Sequence, residues 1–221
     1  MLRSPSMKRF SLKLLLVMVM AATFSSISLA SEGQALDKAQ QAEQHRCRRP
    51  GVDCVFEKVE AYVETRYGVA SLPALTPPTA NYVYASQSGE TVFISSAGPE
   101  ILTGSGGFLK GELPTLSLAT AQEAAMLSCV RGLRFLKSTI GDLDLVEHIV
   151  MVTGTVNVTP TYDDVTSGPV VGALGKTVDG CSDFLVEIFG PEAGKHARSS
   201  GGKVALPFNM ATEIELIVEI K

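Results

Sequence analysis

The sequence predicts an α+β domain: a mixed β-sheet with two helices on one face, in the order ββαβαββ. Three observations predict it. Near the C-terminus Ile214, Leu216, Val218 and Ile220 alternate with Glu213, Glu215, Ile217 and Glu219, the pattern of a half-buried strand. Upstream, Met126, Cys129, Val130, Leu133, Leu136 and Ile140 recur at helical spacing, with Arg131, Arg134 and Lys137 outside that stripe. Between them, residues 145–158 form a long strand with apolar residues on both faces. A sheet containing it is covered on both sides or faces a partner chain.

The N-terminus reads as an address. Arg3, Lys8, Arg9 and Lys13 precede an apolar run over 14–22, and Ser28-Leu29-Ala30 offers a small-x-small cleavage site. That is the pattern of a secretory signal peptide over residues 1–30. A membrane anchor is the competing reading, but the apolar core is short and Ser25, Ser26 and Ser28 break it. The chain from Ser31 onward carries 15 basic and 23 acidic residues, a net charge of −8. Such a chain lacks the basic footprint of a nucleic-acid binder, and no membrane contact is expected after signal cleavage.

Residues 31–75 are expected to form an extension. Residues 31–44 are polar, a loose helix or a disordered arm. Val55, Val59, Tyr62 and Val63 then mark a short amphipathic helix, followed by the proline-rich linker 72–78. The folded domain is expected over 76–221. It opens with a hairpin of strands 81–86 and 91–95 around the turn 87–90. Thr103-Gly104-Ser105-Gly106-Gly107 reads as a surface loop, since it lacks the spacing and context of a phosphate-binding motif. Thr120-Ala121-Gln122-Glu123 is a capping box for the first domain helix, which Gly141 closes. Cys181, Phe184, Leu185 and Ile188 mark the second, stopped by Gly190-Pro191. Two strands then follow, joined by a turn at Leu206-Pro207-Phe208-Asn209.

Cys47 and Cys54 sit close together in a polar segment, where a local disulfide is plausible for an exported protein. Cys129 and Cys181 lie within helical patterns and are expected as buried thiols. No Cys/His cluster has zinc-ligand spacing, so no metal site is expected. Arg198 stands at the mouth of the small-residue run 199–202, where a ligand could approach the backbone. The pattern alone favours a surface arginine paired with an acidic strand face.

With these elements placed, Ala197-Arg198-Ser199, Val204-Ala205-Leu206-Pro207 and Thr212-Glu213-Ile214-Glu215 resemble the C-terminal signature of the RidA (YjgF) family of imine deaminases. Asn81-Tyr82-Val83, Ile94-Ser95-Ser96-Ala97-Gly98-Pro99 and Gly141-Asp142-Leu143 fall where that family has comparable motifs. The resemblance runs from about Thr76 to Lys221. It implies a chorismate-mutase-like subunit, a homotrimer with ligand clefts between chains, and hydrolysis of enamine or imine acids to 2-oxo acids and ammonia without a cofactor.

The resemblance also implies residue roles. Arg198 clamps the substrate carboxylate, a task suited to a planar, permanently charged fork. Glu213 positions or activates the attacking water. Tyr82 lines the cleft, and Ser95 supplies a hydroxyl at its floor. His196 corresponds to nothing in the family pattern. Departures are visible too: Ser95-Ser96-Ala97 stands where Ser-Gly-Gln is common, Asp179 for an asparagine, Ser200 for a cysteine, and Gly201-Gly202 for bulkier residues. The competing function is a non-catalytic, exported trimeric binding protein for small carboxylates or a protein partner.

Overall fold

A computed structural model describes residues 53–104 and 106–221. The expected signal peptide, the arm over 31–44, Cys47 and Ser105 lie outside the described residues. In chain order the elements are α1 (Cys54–Tyr67), β1 (Ala85–Ser88), β2 (Thr91–Ala97), α2 (Leu118–Ile140), β3 (Val146–Asn157), α3 (Ala173–Gly194), β4 (Ala197–Lys203) and β5 (Thr212–Ile220). The strands form one five-stranded sheet in the order β1-β2-β5-β3-β4. All pairings are antiparallel except β3 with β4. The sheet is mixed, as expected, and the domain order ββαβαββ stands.

The last two strands are joined through the turn Pro207–Asn209, as expected. They do not pair with each other: the connection after β4 crosses over β3, so that β5 takes the centre and β4 an edge. β5 has apolar residues at every second position and can be buried between two neighbours, whereas Ser199, Ser200, Gly201 and Gly202 of β4 have almost nothing to bury. All seven β4 residues are exposed.

Helices α2 and α3 cover one face of the sheet. Cys129, Leu133 and Leu136 of α2 and Val178, Cys181 and Leu185 of α3 join Ile149, Val152, Ile214, Leu216 and Val218 in one buried cluster. The helices approach so closely that a Cβ on Gly180 would stand 2.0 Å from the backbone oxygen of Gln122. Gly180→Ala therefore forces the pair apart. It is expected to cost about 2 kcal/mol and lower the melting temperature by roughly 6 °C, with calorimetry as the check.

The cap of α2 sits three residues before the expected one. Ser117 Oγ, not Thr120, accepts from a backbone N–H, that of Thr120 at 3.1 Å. The Thr120 hydroxyl turns back to Ser117 Oγ at 2.8 Å, and Glu123 is used elsewhere, accepting from the Tyr67 hydroxyl at 2.9 Å. At the other end the Gly141 N–H bonds the Lys137 carbonyl, the stop expected of that glycine. The hairpin turn is tighter than expected: Ser88 pairs with Thr91, and Gly89 takes φ 63° between them. Gly190 breaks α3 with φ 81°, just before Pro191.

Cys129 and Cys181 correct a further expectation. They are joined as a disulfide between α2 and α3, with Cα atoms 5.4 Å apart. Cys54 is disulfide-bonded as well.

The compact unit starts at Asp53 and takes in the helix and linker assigned to the extension. Val59 and Val63 of α1 are fully buried in the common core. The N-terminus of α1 is fastened to the turn after α2. Asp53 Oδ1 accepts from Phe56 N–H, and its Oδ2 accepts from Lys137 Nζ at 2.6 Å and Leu143 N–H at 2.9 Å. Asp144 accepts from the N–H groups of Cys54 and Val55. The three clustered carboxylates of Asp53, Asp142 and Asp144 are thus occupied by the chain's own donors.

Candidate active site

The face of the sheet away from the helices is open. It carries Phe93 and Ser95 from β2, Met151, Thr153 and Thr155 from β3, and the acidic side of β5. A cleft of about 510 Å³ lies there, lined by Tyr82, Phe93, Ser95, Thr153, Glu215 and Ile217 among others. Tyr82 is 51% exposed at its rim and Phe93 49%. Ser95 is committed to holding the preceding segment in place: its Oγ donates to the Val83 carbonyl at 2.8 Å, and its N–H bonds the Tyr84 carbonyl at 2.9 Å. Tyr84 in turn stacks on Phe135 of α2, ring centroids 3.9 Å apart. The Tyr82 wall is therefore anchored to the core.

Glu213 shares the open face, paired across β3 with Thr155. Burial pushes its carboxyl above the usual carboxylate range; Lys203 opposes that shift and Glu215 adds to it. A half-buried carboxyl whose proton affinity is raised in this way is suited to proton transfer. The raised affinity for a proton belongs to the folded state, so it weakens folding as pH rises from the ordinary glutamate range through the raised value. Glu213→Gln is accordingly expected to raise the melting temperature at pH 7 and to leave it little changed at pH 4. A melting series against pH checks this.

Arg198 stands elsewhere. Its partner across the ladder is Val152, which points into the helix-covered core and pairs on its other side with Leu216. Arg198 therefore projects from the edge strand on the helix side, opposite to Glu213, and lies along α3. Its Nη1 donates to Asp179 Oδ1 at 2.6 Å and to Ser182 Oγ at 3.1 Å. The side chains of the ion pair are 31% and 39% exposed. Gly175, one turn before Asp179, leaves room beside Nη2, 3.9 Å from where a Cβ would stand. His196 lies on the same side and approaches Ser182 Oγ through Nε2 at 3.0 Å.

Within one chain, then, Tyr82 and Ser95 come together, Glu213 lies on the same face near Glu215, and Arg198 is not brought to them. Sequence reasoning missed Glu215, which lines the cleft and accepts the Ser96 hydroxyl at 2.5 Å; alternation gave it no mark that Glu219 lacks. It also missed the Asp179–Ser182 support under Arg198. The i, i+3 spacing on the helix could have suggested that pair.

No protein-family model matches the chain. A curated relative, protein TCP17 of Trypanosoma cruzi, is 31% identical over 156 residues, covering 70% of this chain and 90% of its own. Among solved structures, the protein Atu1372 of Agrobacterium tumefaciens, of unknown function, superposes with a TM-score of 0.59 at 28% identity, covering 76% of this chain and 96% of its own. A proposed endoribonuclease from Shewanella oneidensis superposes with a TM-score of 0.58 at 24% identity, covering 73% and 99%. The chain belongs to the RidA (YjgF) family. As a RidA-family chain it keeps the fold expected of the resemblance. The most consequential departure is the acid at Asp179, which pairs with the arginine of the RidA signature.

Proposed function

We propose that this chain hydrolyses small 2-imino acids to 2-oxo acids and ammonia, as a homotrimer whose sites form where the Arg198 edge of one copy meets the Tyr82–Ser95 cleft of the next. The observation that carries it is the division of the site: a cleft lined by the Glu215 carboxylate and, among the described residues, by no cation on one face, and a guanidinium on an exposed edge strand. In this reading the substrate carboxylate binds the Nη2/Nε edge of Arg198, since Nη1 is held by the protein. Water adds to the imine carbon as the π pair passes to nitrogen. Glu213 takes the water's first proton and gives it to that nitrogen; it then takes the carbinolamine's hydroxyl proton and passes it to the amino nitrogen, which leaves as ammonia as the C=O of the 2-oxo acid forms. Positioning supplies most of the acceleration, because the imine is already electrophilic.

A second reading, a trimeric binding protein for small carboxylates or a protein partner, rests on the export address and on Ser96 and Ala97 standing where the family commonly has Gly and Gln; the negative charge of Asp179 opposes an incoming anion in both readings. Asp179→Asn separates the two. Under the deaminase reading, removing that charge is expected to tighten 2-oxo acid binding about tenfold and raise kcat/KM for imine hydrolysis. Tighter binding with no hydrolysis by either form would favour the binding reading. Nuclease activity is disfavoured by the net charge of −8 from Ser31 onward. Export follows from the N-terminal address and is supported by the Cys129–Cys181 disulfide.

A further inference from the structure

Asp179 is one of two groups holding Arg198; the other begins a chain of hydrogen bonds. His196 Nδ1 lies 2.7 Å from the Gly194 carbonyl oxygen. A ring nitrogen so placed carries the proton, which leaves Nε2 as an acceptor in the neutral imidazole. The Ser182 hydroxyl, 3.0 Å from Nε2, therefore donates to it. That orientation turns the lone pairs of Ser182 Oγ toward Arg198, whose Nη1 donates at 3.1 Å. Nη1 carries two hydrogens, and Asp179 Oδ1 takes the other at 2.6 Å. Both Nη1 donors are thereby engaged by α3, and the Nη2 side lies over Gly175, with no side chain to cover it.

We propose that Ser182 and His196 are positioning residues for Arg198: by fixing one Nη1 hydrogen they orient the guanidinium so that Nη2 and Nε present a two-donor edge to a ligand carboxylate. This rests on the reading of Arg198 as the carboxylate clamp. His196 is faced by Arg198 from β4, by His148 from β3 and, across Ser182, by Asp179 from α3. Burial lowers the pKa of His196, the hydrogen bond to the Gly194 carbonyl opposes that shift, and Arg198 and His148 add to it, so the ring is neutral at neutral pH. An anion bound at Arg198 offsets the guanidinium charge and makes protonation of His196 easier. By reciprocity the anion binds more tightly as pH falls through the His196 titration.

The test uses the chain from Ser31 and 2-oxobutyrate as probe. Calorimetric affinity at pH 8 is expected to fall about tenfold in Ser182→Ala and in His196→Phe, and to be largely restored in Ser182→Thr, which keeps the hydroxyl. In parallel, the ring titration of His196, followed by NMR, is expected to move to higher pH in Arg198→Ala and in wild type with 2-oxobutyrate. Affinity in Ser182→Ala equal to wild type with an unchanged pH profile would overturn the proposal, as would a His196 titration untouched by Arg198→Ala. If wild type fails to bind 2-oxobutyrate, the clamp reading falls, and the Arg198→Ala titration alone decides whether the relay is real.

Discussion

Arg198→Ala is expected to slow 2-oxo acid release from enzymatically generated 2-imino acids by about 100-fold or more, the scale for removing one charged group that stabilises a reacting anion. The loss should fall on kcat/KM while the fold stays intact, because β4 is an edge strand exposed along its whole length. Arg198→Lys should recover only part of the rate. An ammonium is a point charge; it cannot offer two parallel donors from one rigid fork. Its partner Asp179 would then hold the lysine against α3 and leave the ligand side poorly served. Equal rates in wild type and Arg198→Ala would remove the arginine from the chemistry, leaving the cleft around Tyr82 to explain whatever activity remained.

Loss of the Cys129–Cys181 disulfide is expected to be the largest stability effect. The bridge spans 52 residues and closes a loop containing all of β3. On the chain-entropy model such a closure contributes about 4 kcal/mol. Cys129→Ala/Cys181→Ala is therefore expected to lower the melting temperature by roughly 10 °C. Both cysteines are fully buried between α2 and α3, so the small void left by two sulfur atoms adds to the loss. Reductant should destabilise wild type and leave the double variant less affected, though not unmoved, since Cys54 is bonded too. An identical melting curve for wild type and the double variant would contradict the role of this bridge.

Much of the fold was legible because local pattern and burial agree. The alternation over 214–220 is the buried and open pattern of β5 residue for residue. The apolar stripe from Met126 to Leu136 is buried in α2, and the burial extends beyond it to Leu127, Ser128 and Arg134. What escaped were facts of distance along the chain. Nothing local says that β4 pairs with β3 rather than β5, and that pairing decides which face Arg198 occupies. Its separation from Glu213 could not be read without the register. Likewise Cys129 and Cys181 each fit a helical core stripe, and only the close α2–α3 packing permitted by Gly180 sets their Cα atoms at bonding distance. The cap at Ser117 was lost to a nearby competitor of the same chemistry, Thr120.

Of the residues expected at the site, Tyr82 and Ser95 lie together on the open face. Asp179 was visible only as a substitution in the family pattern, and its consequence came from geometry: a carboxylate within hydrogen-bond reach of the arginine.

A site divided between copies is best tested by mixing. Arg198→Ala lacks the clamp, and Ser95→Trp fills the cleft; each alone should be inactive in imine hydrolysis. Unfolded together and reassembled as random trimers, the two should regain about a quarter of wild-type activity, since a functional site needs an intact edge from one copy and an intact cleft from its neighbour. Continued inactivity of the mixed trimers would contradict a site shared between chains.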